Sequence, residues 1–458
     1  MNKLILAMLT VIASIPVPAA EATNVTWWVS TTDQTHELNP MPAPAGTPSK
    51  RAMKNAIAID PETTYQTTLG MGSSLDHATC YNLSLLSPAD QVSALKRIVS
   101  PVDGIGMNLM RICIGTPDFT REPWYSYDDM PAGETDLTLA HFSIEKDRAY
   151  VIPIIKLALA QNPDLLIFAS PWSPPGWMKD TGTMTGGKLK REYYGVFAEY
   201  LVKFVEAYEA EGIPIYAITT QNEPDYGPNT YPSCVYTGEE QRDLIRDHVG
   251  PAFQKCGLKT RIWCLDHNFD LQQFPDAVYG DPAASAFVEG TGFHHYEGKV
   301  SGMSESHQKW PDKQIFFTEG SVFGLRGANQ LIGFFRNWAQ SYNAWVTILD
   351  ENRKPNNGPH SASATCVMID TKTKQLDYRF DYYLYGHFMK FVARGATRIE
   401  SSDSKVVPNV AFKNPDGSIV IIATNPATKD LDTALIVGDQ KIAVSLPKES
   451  VATFVIAR

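Results

Sequence analysis

The chain has little that would staple or anchor it. Its 458 residues include only six cysteines, Cys80, Cys113, Cys234, Cys256, Cys264 and Cys366, scattered so widely that few or no disulfides are expected; Cys256 and Cys264 are the only close pair. No Cys-x-x-Cys or His-Glu-x-x-His run occurs, so a zinc site has no sequence support. Gly70-Met71-Gly72 lacks the third glycine and the spacing of a dinucleotide loop, and there is no phosphate loop or Gly-x-Ser-x-Gly elbow. Neither a metal nor a cofactor is expected. Past the N-terminus, no segment approaches the roughly 20 uninterrupted apolar residues of a membrane span. Positive charge is also short. With 40 Lys and Arg against 50 Asp and Glu, the formal charge of -10 argues against nucleic acid or an anionic membrane surface as partner.

Aromatic rings, by contrast, are plentiful: 9 Trp and 20 Tyr bring the aromatic share to 11%. Flat rings suit sugar faces, although any one of them can equally fill a core. Residues 1–22 combine a basic start at Lys3, an apolar stretch over 4–15 and small residues at Ala19, Ala20 and Ala22. This is the pattern of a secretory signal peptide, so an exported protein, periplasmic or extracellular, is expected with no transmembrane segment in its mature form.

The pattern along the chain divides it into parts. Residues 23–65 hold predicted strands over 26–30 and 56–59, separated by a Pro-rich connector with Pro40, Pro42, Pro44 and Pro48. Over 66–396 strands alternate with helices. Ser87 and Pro88 open a helix carrying Val92, Leu95 and Val99 as its apolar stripe, and a second helix over 193–211 carries Phe197, Leu201, Phe204 and Tyr208. Strands are predicted over 68–72, 107–114, 165–170, 213–219, 261–265, 290–294, 314–318 and 344–349. Eight such units make a (β/α)8 TIM barrel, which places catalytic groups at the C-terminal ends of its strands. From 397 to 458 the texture changes to short strands with turns such as Asn414-Pro415-Asp416-Gly417, which predicts a small β-sandwich completed by the early strands, and thus built from both chain ends.

Two acids stand at strand ends. Glu223, in Thr220-Gln221-Asn222-Glu223-Pro224, follows the fourth predicted strand, and Glu319, in Phe316-Phe317-Thr318-Glu319-Gly320, ends the seventh. Breaking a glycosidic bond needs two carboxyl groups flanking one cleft, one to protonate the leaving oxygen and one to attack or screen the sugar carbon.

Several stretches together resemble glycoside hydrolase family 30, with the strongest likeness to glucosylceramidases. They are 111–119 (RICIGTPDF), 169–177 (ASPWSPPGW), Asn222-Glu223-Pro224, 231–251, His294-His295-Tyr296, Thr318-Glu319-Gly320 and Tyr385-Gly386-His387-Phe388. The resemblance implies a retaining β-glycosidase with Glu223 as acid/base and Glu319 as nucleophile. It also implies that Arg111, Asp118, Trp172, Asn222, Tyr296 and Trp345 contact the sugar in the first subsite or orient the nucleophile. The chain departs from the family pattern at His295, where Trp is expected, and over 350–355, where a glycine-rich turn is expected. Both departures bear on the aglycone side.

Residue by residue, Glu223 needs a proton held above the usual carboxyl range, which burial opposite a second carboxylate supplies. Asn222 is placed to bind the sugar 2-hydroxyl, Tyr296 to donate to Glu319, and Arg111 with Asp118 to wall the outer hydroxyls, an internal salt bridge being the rival role for that pair. Trp172 and Trp345 are expected to stack on the pyranose. Of the adjacent His294 and His295 only one can face the cleft, and His294 is the choice. Asp76 is read as a helix cap. The leading expectation is a retaining β-glucosidase of glucosylceramidase type acting on a carbohydrate or glycolipid. An endo-β-1,6-glucanase is the alternative, and a non-catalytic carbohydrate-binding protein, which would be expected to lack one of the two acids, is the rival from another class.

Overall fold

The computed structural model describes residues 24–320, 322–359 and 365–457. The expected export signal over 1–22 lies outside the described residues. Among the described residues no helix is long and apolar enough to cross a membrane, and all six cysteines carry free thiols.

Eight strands form the barrel: Gly70–Gly72, Leu109–Ile114, Leu166–Pro171, Ala217–Thr219, Arg261–Asn268, Val288–His294, Gln314–Glu319 and Ser341–Asn343. The second to seventh make one parallel sheet in chain order, and the first pairs in parallel with the eighth. Backbone hydrogen bonds close the ring at both seams, from Asn108 N to Met71 O at 2.9 Å and from Gln340 N to Ile315 O at 2.8 Å. Every residue of Leu109–Ile114 is buried, as befits a parallel strand with helices on one side and a packed interior on the other.

The helices outside follow their sequence signals. The Ser87 hydroxyl accepts from the Asp90 N–H and Pro88 occupies the first turn, so Pro88–Val99 begins where the cap predicts. It buries Ala94, Leu95, Ile98 and Val99, while Val92 sits 36% exposed at the border of the stripe. Tyr194–Ala210 buries Phe197, Leu201, Phe204 and Tyr208 as expected.

One strand is displaced from its expected place. The eighth is Ser341–Asn343, not 344–349, because a polar strand is invisible to a hydrophobic pattern. Asn343 earns its burial by donating from Nδ2 to Leu109 O at 2.7 Å and Ser73 O at 3.3 Å. The apolar residues after it pack as a wall above the barrel. Ile348–Asp350 joins a separate small sheet with Val367–Ile369 and Leu376–Tyr378.

The barrel interior is layered. Leu109, Phe168, Ala217, Trp263 and Phe316, from five different strands, form a fully buried apolar plug, with Trp263 stacked on Phe316 at 4.0 Å between ring centres. Strand side chains alternate, so the residue two positions on faces the same way one layer higher. In four of the five strands that residue is Arg111, Ser170, Thr219 or Thr318. In the fifth, a register shift between Leu265 and His267 brings Asp266 into the layer instead. Gly292 faces this layer too, and a Cβ there would meet the Thr318 side chain at 2.9 Å. The layer above the plug is therefore polar, and it forms the floor of the site.

The remaining strands make a nine-stranded sheet. Its spatial order is Gln440–Leu446, Leu431–Val437, Ile57–Thr67, Thr397–Ser401, Asn409–Lys413, Ile419–Asn425, Ser450–Ile456, Val25–Thr31, Asn39–Met41. Three of these strands come from the N-terminal segment, and the sheet encloses its own apolar core. His387, on the helix Phe380–Met389, joins it to the barrel, with Nδ1 2.8 Å from Thr453 Oγ1 and Nε2 2.9 Å from Ser30 Oγ.

Candidate active site

Arg111 stands at the centre of the polar layer. It is fully buried and donates through Nη1 to Glu319 Oε2, through Nη2 to Asn222 Oδ1 and Asp266 Oδ2, each at 2.8 Å, and through Nε to Ser170 Oγ at 3.3 Å. The sequence reading weighed a wall facing the sugar hydroxyls against an internal salt bridge supporting the barrel. The salt bridge is what forms, beneath Glu319, because a cation at this depth must have its donors met by protein oxygens.

Asp266 is the site residue that sequence reasoning missed. Its Oδ2 accepts from Arg111, from Ser170 Oγ at 2.8 Å and from Thr219 Oγ1 at 2.7 Å. Its Oδ1 accepts from Thr318 Oγ1 at 2.6 Å and faces His294 Nε2 at 3.0 Å. Burial works against its charge, yet Arg111, His294 and Thr318 hold the carboxyl far below the usual range. The available signal was its place just past an apolar strand run, the same position that marked Glu223 and Glu319. Leu265, Asp266 and Glu223 all have left-handed backbones, with φ of 65°, 68° and 49°. Such conformations gather where surrounding structure holds the chain in place. Here the Glu223 N–H donates to Asp266 O at 3.0 Å, tying the two turns together.

The two acids converge. Glu319 Oε1 accepts from the Tyr296 hydroxyl at 2.8 Å, as expected, and Oε2 from Arg111. Glu223 Oε1 lies 3.2 Å from His294 Nδ1 and 3.7 Å from His267 Nε2. One oxygen of Glu223, one of Glu319 and a ring nitrogen of His294 all lie within 4.8 Å of one another. The two carboxyls titrate as one unit. Burial is the largest influence on each: it pushes Glu319 up, whereas at Glu223 the hydrogen bond and charge of His294 outweigh it and hold the carboxyl below its ordinary range, contrary to the raised value expected from sequence. Both Glu319 oxygens accept from protein donors, Tyr296 and Arg111, whereas Glu223 faces the rings of His294 and His267.

His294 is fully buried, and burial alone would strip its proton. The facing carboxylates of Glu319, Asp266 and Glu223 outweigh this and push it up to about 9, so the ring is an imidazolium near neutral pH and donates from both nitrogens. Glu223, His294 and Glu319 are spaced as a metal's ligands could be, but His294 and Arg111 already supply the positive charge there, and a metal would first have to displace the proton on His294 Nδ1. His295 points to the opposite face, where it packs on Phe317 and Phe334 and burial pushes it down to about 4.

The other expected residues surround the acids. Asn222 Oδ1 accepts from Arg111 Nη2, which leaves the Nδ2 donor of the same amide for another partner. Asp118 is buried near both acids, and burial with the Glu319 charge pushes its carboxyl well up. Trp172 and Trp345 were expected to stack on a pyranose, with core packing as the rival. They stack on each other at 4.9 Å and are 2% and 7% exposed, with Phe119 edge-on to Trp345 at 6.0 Å. Two large rings in contact bury more apolar area than either would alone, and little of either face is left for a sugar. Asp76 caps the helix His77–Ser84, accepting from the N–H groups of Ala78 and Thr79.

A closed βα barrel with two facing acids at its fourth and seventh strand ends, joined to a β-domain, is the architecture of a TIM-barrel glycosidase. Residues 68–392 match the Glycosyl hydrolase family 30 TIM-barrel domain and residues 395–454 the Glycosyl hydrolase family 30 beta sandwich domain. The chain belongs to glycosyl hydrolase family 30 and is a glycosidase. It is similar to an endo-1,6-beta-D-glucanase of Neurospora crassa, 32% identical over 424 residues, which span 87% of this chain and 88% of that one. It is also similar to the lysosomal acid glucosylceramidase of Mus musculus, 30% identical over 407 residues, or 82% and 78% of the two chains. The solved structure of the endo-beta1,6-glucanase BT3312 superposes with a TM-score of 0.85 at 30% identity, covering 95% of this chain and 99% of that one.

Proposed function

We propose that this protein is a retaining endo-β-1,6-glucanase, exported by way of residues 1–22. The observation that carries the retaining reading is the approach of Glu223 and Glu319 oxygens to within 4.8 Å. Retention needs carboxyls about 5–5.5 Å apart, whereas inversion needs about 6.5–9.5 Å to admit a water between acid and sugar. In the first step Glu319 Oε attacks the anomeric carbon, the glycosidic C–O bond breaks, and the Glu223 proton passes to the departing oxygen. In the second, Glu223 takes a proton from water as that water attacks the same carbon, and the ester to Glu319 is released. Arg111 and Tyr296 hold Glu319 charged and aimed, His294 orients Glu223, and Asn222 Nδ2 meets the 2-hydroxyl, a contact that strengthens as positive charge builds on the neighbouring carbon.

For the substrate, the glucanase reading replaces the glucosylceramidase preference drawn from sequence motifs. It is supported by likeness to relatives named endo-1,6-β-glucanases that spans 87% of the chain in one case and 95% in another. Glucosylceramide stays as the second reading on the likeness to the mouse glucosylceramidase. The deciding experiment is a hydrolysis panel of β-1,6-glucan, glucosylceramide and xylan, with the anomers of fresh product followed by proton NMR. We expect β-1,6-glucan to be cut internally and the β-anomer to appear first. Faster cleavage of glucosylceramide than of β-1,6-glucan would overturn the substrate, and an initial α-anomer would overturn the mechanism.

A further inference from the structure

Beside the catalytic centre, the loops that follow the second and third barrel strands enclose a groove of about 580 Å³. This lies within the range of about 300–1,000 Å³ usual for small-ligand sites. Trp124 and Tyr193, both partly exposed, line it with the buried Trp177 packed beside them, and Lys190, Asp129 and Glu134 stand along it. Trp177 and Tyr193 meet edge to face at 5.3 Å, and Trp177 Nε1 is fixed by donation to Asp128 O at 2.9 Å.

Two connections join the groove to the site. Trp124 packs against the cluster that contains Phe119, Trp172 and Trp345. Lys179, a buried residue of the groove wall, donates from Nζ to Ser173 Oγ at 3.1 Å, and Ser173 directly follows Trp172. The same loop thus carries a wall of the catalytic centre and a wall of the groove.

We propose that this groove is a second sugar subsite, binding glucosyl units of the substrate chain away from the bond being cleaved. The proposal rests on the polysaccharide reading above. Indole and phenol rings take up the C–H faces of a pyranose, while carboxylates and an ammonium on the rim hydrogen-bond its hydroxyls. The same charged rim is unsuited to acyl chains, and its acidic groups repel nucleic acid.

The test compares kcat/KM on β-1,6-linked gluco-oligosaccharides of increasing length for the wild type, Tyr193→Ala and Lys190→Ala, with an aryl β-glucoside as the folding control. The wild type should gain with chain length, and each variant should lose most of that gain, by about tenfold for Tyr193→Ala, while aryl glucoside turnover is kept. A full chain-length gain in both variants, or hydrolysis of these oligosaccharides by the wild type with no such gain, would overturn the subsite. Calorimetry on Glu319→Gln separates this from the substrate assignment. If β-1,6-glucan is not hydrolysed but a longer gluco-oligosaccharide still binds more tightly than the disaccharide, and Lys190→Ala abolishes the difference, the glucanase reading fails and the subsite stands. Equal binding of both lengths rejects the subsite whatever the activity.

Discussion

His294 Nε2 lies 3.0 Å from Asp266 Oδ1 while the other nitrogen of the same ring faces Glu223 at 3.2 Å, so one imidazolium ties the acid to the buried floor. Its proton is held up to about 9, above the ordinary value of 6.5. Replacing it by Gln removes a cation beside two carboxyls, and their titration must move to higher pH, because an opposite charge favours the ionised form. His294→Gln should therefore shift the acidic limb of kcat/KM upward and lower the maximum. The pH–rate profile on an aryl β-glucoside tests this, and an unmoved acidic limb would remove His294 from the mechanism. In the wild type, activity should also fall as pH rises through about 9 and the ring loses its charge.

The two acids should fail differently. Glu319→Ala should lose essentially all turnover of every substrate. Glu223→Ala should lose about 10²–10⁴-fold on substrates with poor leaving groups and far less on those with good ones, since only the former need the proton. Leaving-group series on both variants check the assignment, and equal losses across the series for Glu223→Ala would contradict it.

Arg111 neutralises Asp266 and Glu319 from a fully buried position. Arg111→Met should strand two carboxylates and cost about 3–5 kcal/mol of stability, the usual penalty for removing one partner of a buried ion pair. Denaturant unfolding measures it. Stability within about 1 kcal/mol of the wild type would mean that the pairing contributes no more than a surface bridge does.

Much of this site could be read from the chain alone. Glu223 and Glu319 were legible because each closes an apolar run, and Tyr296 because its motif accompanies them. Asp266 was not, although it too follows an apolar run. A register shift and two left-handed residues turn it into the polar layer, and no periodicity encodes such a shift. Arg111 was seen with two roles left open, a sugar wall or an internal salt bridge, since an arginine within an apolar strand gives no hint of depth; the salt bridge is the one that forms. The eighth strand was missed for a related reason: its polar residues are buried through hydrogen bonds to neighbouring backbone, while the apolar run after it packs around Trp345.

His387 bridges Ser30 and Thr453 from within the protein, and burial pushes it down to about 3 from 6.5. The unfolded chain binds a proton at 6.5 that the folded chain refuses until about 3, so stability is whole above 6.5 and declines as pH falls between these values. His387→Asn keeps hydrogen-bonding capacity without a titrating ring. Its melting temperature should fall less steeply than that of the wild type from pH 6.5 to pH 4. Parallel curves would show that the bridge does not sense pH.

The strand Val25–Thr31 lies between Asn39–Met41 and Ser450–Ile456. On a ribosome, one of the first strands made must therefore wait for nearly the last before its open edge is covered. The barrel can be assembled in the meantime, but unpaired strand edges invite association with other chains while they wait. Cutting the gene after the barrel would not release a self-contained sandwich either: it would leave two fragments, each exposing the edge that the other was meant to cover.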